Sequence, residues 1–382
     1  MVQKIINSMR KHKGYWMVFL ILLGISLVLN MLARTIPGFA DGYIKYVYPI
    51  FVNTLGRMNS LVPFSVGEIL IVMGILLVIA AVILIPFGLI CSRGKIWGKA
   101  KKFYGFFVML LNVIFLVQTL NCFILYQGTT LESKMVSEEG YEVRELIALR
   151  EEIVSKLNEL GIQMKRNSQG DLVYDEEEMK RKCIEAMKKL GEEYPQLQGY
   201  YPNPKKLYFS EFASQQYLSG IFFPFSMEAN YNGVMYASNY PATVCHELSH
   251  LKGVILEDEA NFYAYLACIQ SEDLFFQYSG YLSVFYYVEN DLLSVLSPEE
   301  YQTLTQAASY VYQDDIFLKE ETWEEIEEEA VLDTETVDEI SDALTEKSLN
   351  LNGVEDGMQS YSRVVKLLLA YYHERTEGKE HG

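Results

Sequence analysis

The chain has 382 residues, half of them hydrophobic, with 32 basic and 50 acidic side chains and a formal net charge of −18. That length leaves room for more than one domain, and that charge argues against nucleic acid as a partner. The five cysteines form neither a disulfide framework nor a zinc knuckle, since Cys91 and Cys122 sit at or within apolar segments and leave an odd trio, Cys183, Cys245 and Cys268.

In chain order, residues 15–33 are a charge-free apolar run, long enough to cross a hydrocarbon core of about 30 Å as a helix. No small-residue cleavage site of the kind that ends a signal peptide is evident after it. Similar runs at 68–90 and 105–126 bring the expected number of membrane helices to three. Residues 1–126 are therefore expected as a multi-pass membrane anchor with the lipid bilayer as partner. Lys4, Arg10, Lys11 and Lys13 precede the first run, and Arg93, Lys95, Lys99, Lys101 and Lys102 lie between the second and third. Basic residues concentrate on the cytoplasmic side, so the N-terminus is expected in the cytoplasm, while Tyr43, Tyr46 and Tyr48 suit the opposite interface. After an odd number of spans the acidic remainder is expected outside the cell. The spans carry almost no charge apart from Glu68, which disfavours a transporter or channel.

Residues 127–198 are expected as a helical hairpin region. Leu146, Ile147, Leu149, Ile153, Leu157 and Leu160 recur at helical intervals, and the turn formers of 167–171 separate two helices. Residues 199–382 are expected to hold the chemistry. They begin with an aromatic, turn-rich stretch in which 233–238 (GVMYAS) reads as a short strand. Such a strand serves either as an edge on which an extended peptide pairs or as buried core.

Immediately after it comes Cys245-His246-Glu247-Leu248-Ser249-His250, an HExxH motif. A helix from Pro241 to about Lys252, stopped by Gly253, is the expected carrier. Four residues apart on a helix, His246 and His250 share a face and can meet one zinc ion. Glu247 beside them is the candidate general base, taking a proton from water and passing it to the leaving amine. Cys245 points away from His246 and is expected to pack beneath the motif.

The next helix is expected over 257–269, with Glu257, Asp258 and Glu259 at its positive end. Glu257 and Glu259 lie about 200° apart around a helix, so only one of them reaches the metal. Glu257 is favoured because Asn261, one turn on, can orient a ligand histidine, and Glu259 remains the alternative. Residues 270–318 read as mostly helical with a turn at Pro298, and the acidic run 319–346 as a solvated helix pair without calcium-loop spacing. In the last segment Tyr361 or His373 is a candidate donor to a developing oxyanion, against a plainer reading as core helix and surface histidine.

HELSH followed by a downstream glutamate resembles the gluzincin class of zincin metallopeptidases. The EDEAN element at 257–261 is similar to the ExxAD element of membrane peptidases of the CAAX prenyl endopeptidase and heat-shock peptidase type. The resemblance implies a zinc ligand at Glu257 and places Asn261 where those proteins carry aspartate. The six residues between His250 and Glu257 are fewer than in familiar gluzincins, and Leu256 occupies the position of the third histidine of metzincins. The whole layout, with its PFSMEANYN, HELSHLKG, EDEANFYAYLAC and NGVEDGMQSYSRVV stretches, resembles an uncharacterised Firmicute family of three-span membrane proteins with an extracellular HExxH domain.

The expected fold is mainly α: three transmembrane helices, then an α+β, mostly helical zincin-like domain with a short edge strand before the HExxH helix. The expected function is zinc-dependent hydrolysis of peptide or protein substrates at the cell envelope, on the extracytoplasmic side. The alternative is a non-catalytic, zinc-stabilised cell-envelope sensor or assembly protein.

Overall fold

The computed structural model describes residues 12–90, 95–136, 141–352 and 363–380, and within these the side chains other than 86–90, 95–97, 348–351 and 376–380. They form two compact units.

The first unit comprises Met1–Tyr48, Val66–Gly128 and Pro224–Ser226. Its helices α1 (Lys13–Thr35), α2 (Val66–Ile90) and α3 (Lys95–Gln118) form most of three stretches long and apolar enough to cross a membrane, Lys13–Thr35, Val66–Ile85 and Gly98–Met135, the last of which continues through the turns after α3. Leu20, Leu27, Met31, Ile75 and Val82 are exposed, as a lipid-facing surface requires. Between the helices, contacts are polar and close. Asn112 Nδ2 donates to the Phe19 carbonyl at 2.7 Å, Asn30 Nδ2 to Thr119 Oγ1 at 2.8 Å, and Tyr104 OH to the Ala81 carbonyl at 2.6 Å. Bonds of this kind give apolar helices the attraction that hydrophobicity cannot supply within lipid. After α3 a π-helical turn, Thr119–Phe123, carries Asn121, whose Nδ2 donates to the Pro224 carbonyl at 2.7 Å.

The second unit comprises Pro49–Ser65, Thr129–Phe223 and Met227–Gly382. Residues on both sides of position 198, 129–223 and 227–382, are in this unit. Helices α4 (Val143–Gly161) and α5 (Glu176–Glu193) are joined through the expected turn, where Gly170 has φ +94° and Asn167 Nδ2 reaches Asp171 at 2.9 Å. They pack on different partners rather than mainly on each other. The apolar stripe of α4 (Leu146, Leu149, Ile153, Leu157) lies against α8 (Leu274–Val295), and Arg150 within it bonds Glu289 of α8 at 2.8 Å. The stripe of α5 (Met179, Cys183, Met187, Leu190) lies against α6 (Tyr240–His250) and α7 (Glu257–Ile269). Both stripes are buried by tertiary partners, which outweigh the local pairing that a short connection favours.

Three short strands, β1 (Lys205–Lys206), β2 (Gly220–Phe223) and β3 (Glu228–Tyr231), form a sheet in the order β1-β3-β2. β1 runs parallel to β3 with Lys205 opposite Asn230, and β2 runs antiparallel to β3 from Gly220 opposite Tyr231 to Phe223 opposite Glu228. β2 is an edge strand and, with β3, packs on α6. The strand expected at 233–238 is therefore a correction: that segment is a turn followed by a 3₁₀ turn, Ala237–Asn239. Its backbone donors are taken by other groups. Val234 N–H bonds the Asn232 side chain at 3.1 Å, Gly233 N–H bonds Ser210 Oγ at 2.8 Å, and Tyr236 N–H bonds the Phe317 carbonyl at 2.9 Å. Helices α9 (Glu320–Glu329) and α10 (Thr334–Asn352) form the acidic pair, and α11 (Arg363–Glu380) packs on α4, α7 and α8.

Candidate metal centre

Helix α6 has Pro241 in its first turn, where the missing N–H costs nothing. Gly253, at φ +85°, follows its end and donates to the His250 carbonyl at 2.9 Å. This left-handed position is one glycine adopts without penalty. Four residues apart on α6, His246 and His250 present rings with centroids 4.5 Å apart and planes at 88°.

Each ring is held through Nδ1. His246 Nδ1 lies 2.8 Å from Asn261 Oδ1, and His250 Nδ1 lies 2.7 Å from the Val254 carbonyl. Both partners are acceptors, so each Nδ1 carries hydrogen and each Nε2 is the outward-facing nitrogen. Those Nε2 atoms converge on one side chain: His246 Nε2 is 3.0 Å and His250 Nε2 is 3.4 Å from the two carboxylate oxygens of Glu257. One nitrogen from each histidine and an oxygen of Glu257 all lie within 4.8 Å of one another. Glu257 is the first residue of α7, so its charge sits at the positive end of that helix.

Burial raises the Glu257 pKa, but His250 and His246 overcome it and hold the group well below the usual carboxylate range. Burial conversely disfavours a charged His250, yet Glu257 lifts its pKa to about 9. A protonated His250 or a divalent cation would answer the same carboxylate, and metal binding at such clusters releases protons. The donor set of two imidazoles and one carboxylate suits zinc, and three protein ligands leave a position open for water or substrate.

Glu247 is buried behind these histidines, and its Oε2 has no hydrogen-bond partner among the described residues. Burial pushes its carboxyl up to about 7, opposed by the nearby His246 and His250 and by a hydrogen bond from the Phe222 main chain. The start of β2 lies directly against it. A Cβ added at Gly220 would come within 2.6 Å of Glu247 Oε1 and 2.9 Å of the Asn230 carbonyl oxygen, so only glycine leaves space there.

The remaining candidates lie elsewhere. Glu259 is buried and accepts from the Leu131 N–H, pointing away from the cluster as the rotation about α7 requires. His373 is exposed on α11, with Nδ1 3.4 Å from the Glu145 carboxylate of α4. Tyr361 lies outside the described residues. Cys245 is buried beside Cys183 and Cys268. Sequence reasoning missed Gly220 and Phe222. Their signal was the short apolar run GIFF between a serine and a proline, readable as a buried strand.

Fold and site together define a mainly helical chain with three membrane-length apolar helices and a half-buried cluster of two histidines and a glutamate. The family model described as "Protein of unknown function (DUF3810)" matches residues 43–369, and the chain belongs to that family. No curated protein and no solved structure matches it.

Proposed function

We propose that the protein is a membrane-anchored zinc metallopeptidase that hydrolyses peptide bonds on the extracytoplasmic side. The observation that carries this reading is the convergence of His246 Nε2 and His250 Nε2 on Glu257, each ring fixed from behind by Asn261 or the Val254 carbonyl. These three side chains would hold zinc, which when bound acts as a Lewis acid toward a carbonyl and makes water more acidic.

The chain's own groups then have separate tasks. Glu247, with an unpartnered Oε2, takes the proton from the attacking water and delivers it to the departing amine nitrogen. A carboxyl held near neutrality by burial is suited to both directions of that transfer. β2, the outer strand of the sheet, whose first residue touches Glu247, is on this reading the strand on which an extended peptide pairs, a role the sequence placed at 233–238. Asn261 acts through His246, keeping its ring in the ligating orientation. The orphaned Glu247 oxygen favours an enzyme over a structural metal site, because a structural site has no use for a buried carboxylate without a partner.

The orientation follows from the basic residues flanking the apolar helices. The test is metal analysis of the purified protein together with hydrolysis of a mixed peptide library. Expected are one zinc per chain and cleavage that a peptide hydroxamate or a chelator abolishes. Zinc-loaded protein that cleaves nothing in the library, or a Glu247→Gln protein that cleaves at the wild-type rate, overturns the reading.

A further inference from the structure

Helices α9 and α10 lie in the same unit as the His/Glu cluster, and every charged residue from Glu320 to Glu346 is acidic. The flanking Lys319 is already paired with Asp171. Among the described residues none of these carboxylates meets a basic side chain. The arrangement works against the helices that carry it. On α9, Glu320 and Glu324, and again Glu325 and Glu329, are like charges one turn apart, and the run Glu327–Glu329 stands at the negative end of the helix.

Two further observations point from this surface to a ligand. First, the helices expose apolar side chains: Ile340 and Leu344, one turn apart on α10, are 54% and 65% exposed, on the same helix as the exposed Glu339, Asp342 and Glu346. An apolar pair amid carboxylates is complementary to a peptide that mixes apolar with basic residues. Second, the acidic helices are tied to the segment that becomes β2. Trp323 of α9 lies 5.4 Å from Tyr217, ring centre to ring centre, and Gln215 Nε2 donates to the Leu332 carbonyl at 3.0 Å. Gly220, the first residue of β2, follows Tyr217 closely and lies against Glu247. Glu247, 4% exposed and with Oε2 unpartnered among the described residues, is the buried carboxylate at that end of the strand.

We propose that this site takes cationic, partly apolar peptides as its substrates, with Lys or Arg residues on one side of the cut held against α9 and α10. The proposal rests on the peptidase reading above. The chain from Tyr217 to Gly220 spans at most about 11 Å, so a peptide paired on β2 with one bond beside Glu247 reaches α9 within about six residues of that bond. There its positive charges meet carboxylates that otherwise repel one another, and its apolar residues meet Ile340 and Leu344. An acidic peptide adds to the repulsion. The field of an acidic face also raises the rate at which cationic peptides arrive.

The test uses the full chain, zinc-loaded and in uncharged detergent so that the micelle itself draws no cations. A fluorescent peptide of alternating Lys and Leu is titrated into the Glu247→Gln protein and followed by anisotropy, beside versions with Ser or Glu in place of Lys. The Lys peptide is expected to bind about 10-fold or more tightly than the Ser peptide, and to weaken as salt rises. Replacing Glu324, Glu325, Glu328 and Glu329 together by Gln should lower that affinity about 10-fold, while the melting temperature holds or rises because repulsion within α9 is relieved. Unchanged affinity, or a fall in melting temperature, overturns the proposal. In parallel the wild type digests a mixed peptide library, and the cuts are mapped by mass spectrometry. Lys and Arg are expected on one side of the cut, within about six residues. Cuts made without regard to charge overturn the proposal and leave the peptidase standing. Binding of the Lys peptide that the neutralised protein loses, without any cleavage by the wild type, keeps the cationic surface and removes the peptidase. Neither binding nor cleavage removes both.

Discussion

Asp314 and Glu247 are buried carboxylates of the same unit, and their surroundings differ completely. Asp314 accepts two hydrogen bonds from Arg166 at 2.9 and 2.6 Å, one from Tyr278 OH at 2.7 Å and one from Tyr236 OH at 3.4 Å. Arg150 is answered in the same way, by Glu289, Tyr301 and the Thr305 carbonyl. Glu247 instead has an oxygen without a partner, next to two imidazole nitrogens aimed at a third side chain. A buried polar group left unsatisfied costs about 1–3 kcal/mol. The fold meets that requirement at Asp314 and Arg150 and leaves one oxygen of Glu247 without a partner among the described residues, as it does Asn230 Oδ1 and Asp258 Oδ1; on the proposed reading the Glu247 oxygen is the one that meets water.

Five substitutions, one of them a control, sharpen or break that contrast. The largest effect is expected at Glu247→Gln, which should lower peptide hydrolysis by about 10²–10⁴-fold through loss of the base. Bound zinc and the melting temperature should hardly change. Loss of stability on the scale of a broken buried ion pair would show that Glu247 belongs with Asp314 after all.

Next comes Arg150→Ala, which strands Glu289 in the α4–α8 interface. Removing one partner of a buried pair costs about 3–5 kcal/mol, read as a large fall in melting temperature. Zinc per folded molecule should be unchanged, and selective zinc loss without destabilisation would contradict a purely structural role.

Asn261→Ala frees the His246 ring from behind while leaving every proposed ligand in place. Affinity for zinc should fall about 10–100-fold, measured by competition with a chromophoric chelator. Glu259→Gln, at a carboxylate pointing away from the cluster, is the control, and equal losses in the two would overturn the assignment of Glu257 as third ligand.

The smallest effect is at Asp273. Its carboxylate caps α8 through the Phe275 N–H at 2.8 Å and also accepts from Lys182 and Tyr174. Burial raises its pKa, but these partners prevail and hold it below the usual aspartate value. A depressed carboxyl contributes stability that is fully present above its unfolded pKa of about 3.9 and lost as pH falls through the folded value. Asp273→Asn keeps the cap but loses the ion pair with Lys182, which should cost up to about 1 kcal/mol at neutral pH, with the gap narrowing below about pH 4. A gap that widens on acidification would contradict the assignment.

Much of the architecture was legible along the chain. Apolar length alone located the three helices of the first unit, because a bilayer sets a minimum run that few other structures need. The motif helix and α7 were equally plain, since Pro241, Gly253 and the Glu257–Glu259 carboxylates are local start and stop signals. The edge strand was not. GIFF is four residues long, and its pairing with EANY is set by contacts with α6 rather than by propensity. GVMYAS has strand-like composition, but Asn232 claims one of its donors locally, and Ser210 and the Phe317 carbonyl claim two more from a distance no local pattern reports.

At the candidate site, periodicity by itself determined that His246 and His250 share a face and that Glu257 and Glu259 cannot. It also put Asn261 one turn beyond Glu257. Which of the two carboxylates meets the histidines was decided only in three dimensions. The way α7 packs across α6 brings Glu257 and Asn261 to the rings while sending Glu259 to the Leu131 amide. A helix fixes the relative rotation of its own residues through its repeat, whereas the direction in which two helices cross is set by the packing of the side chains between them.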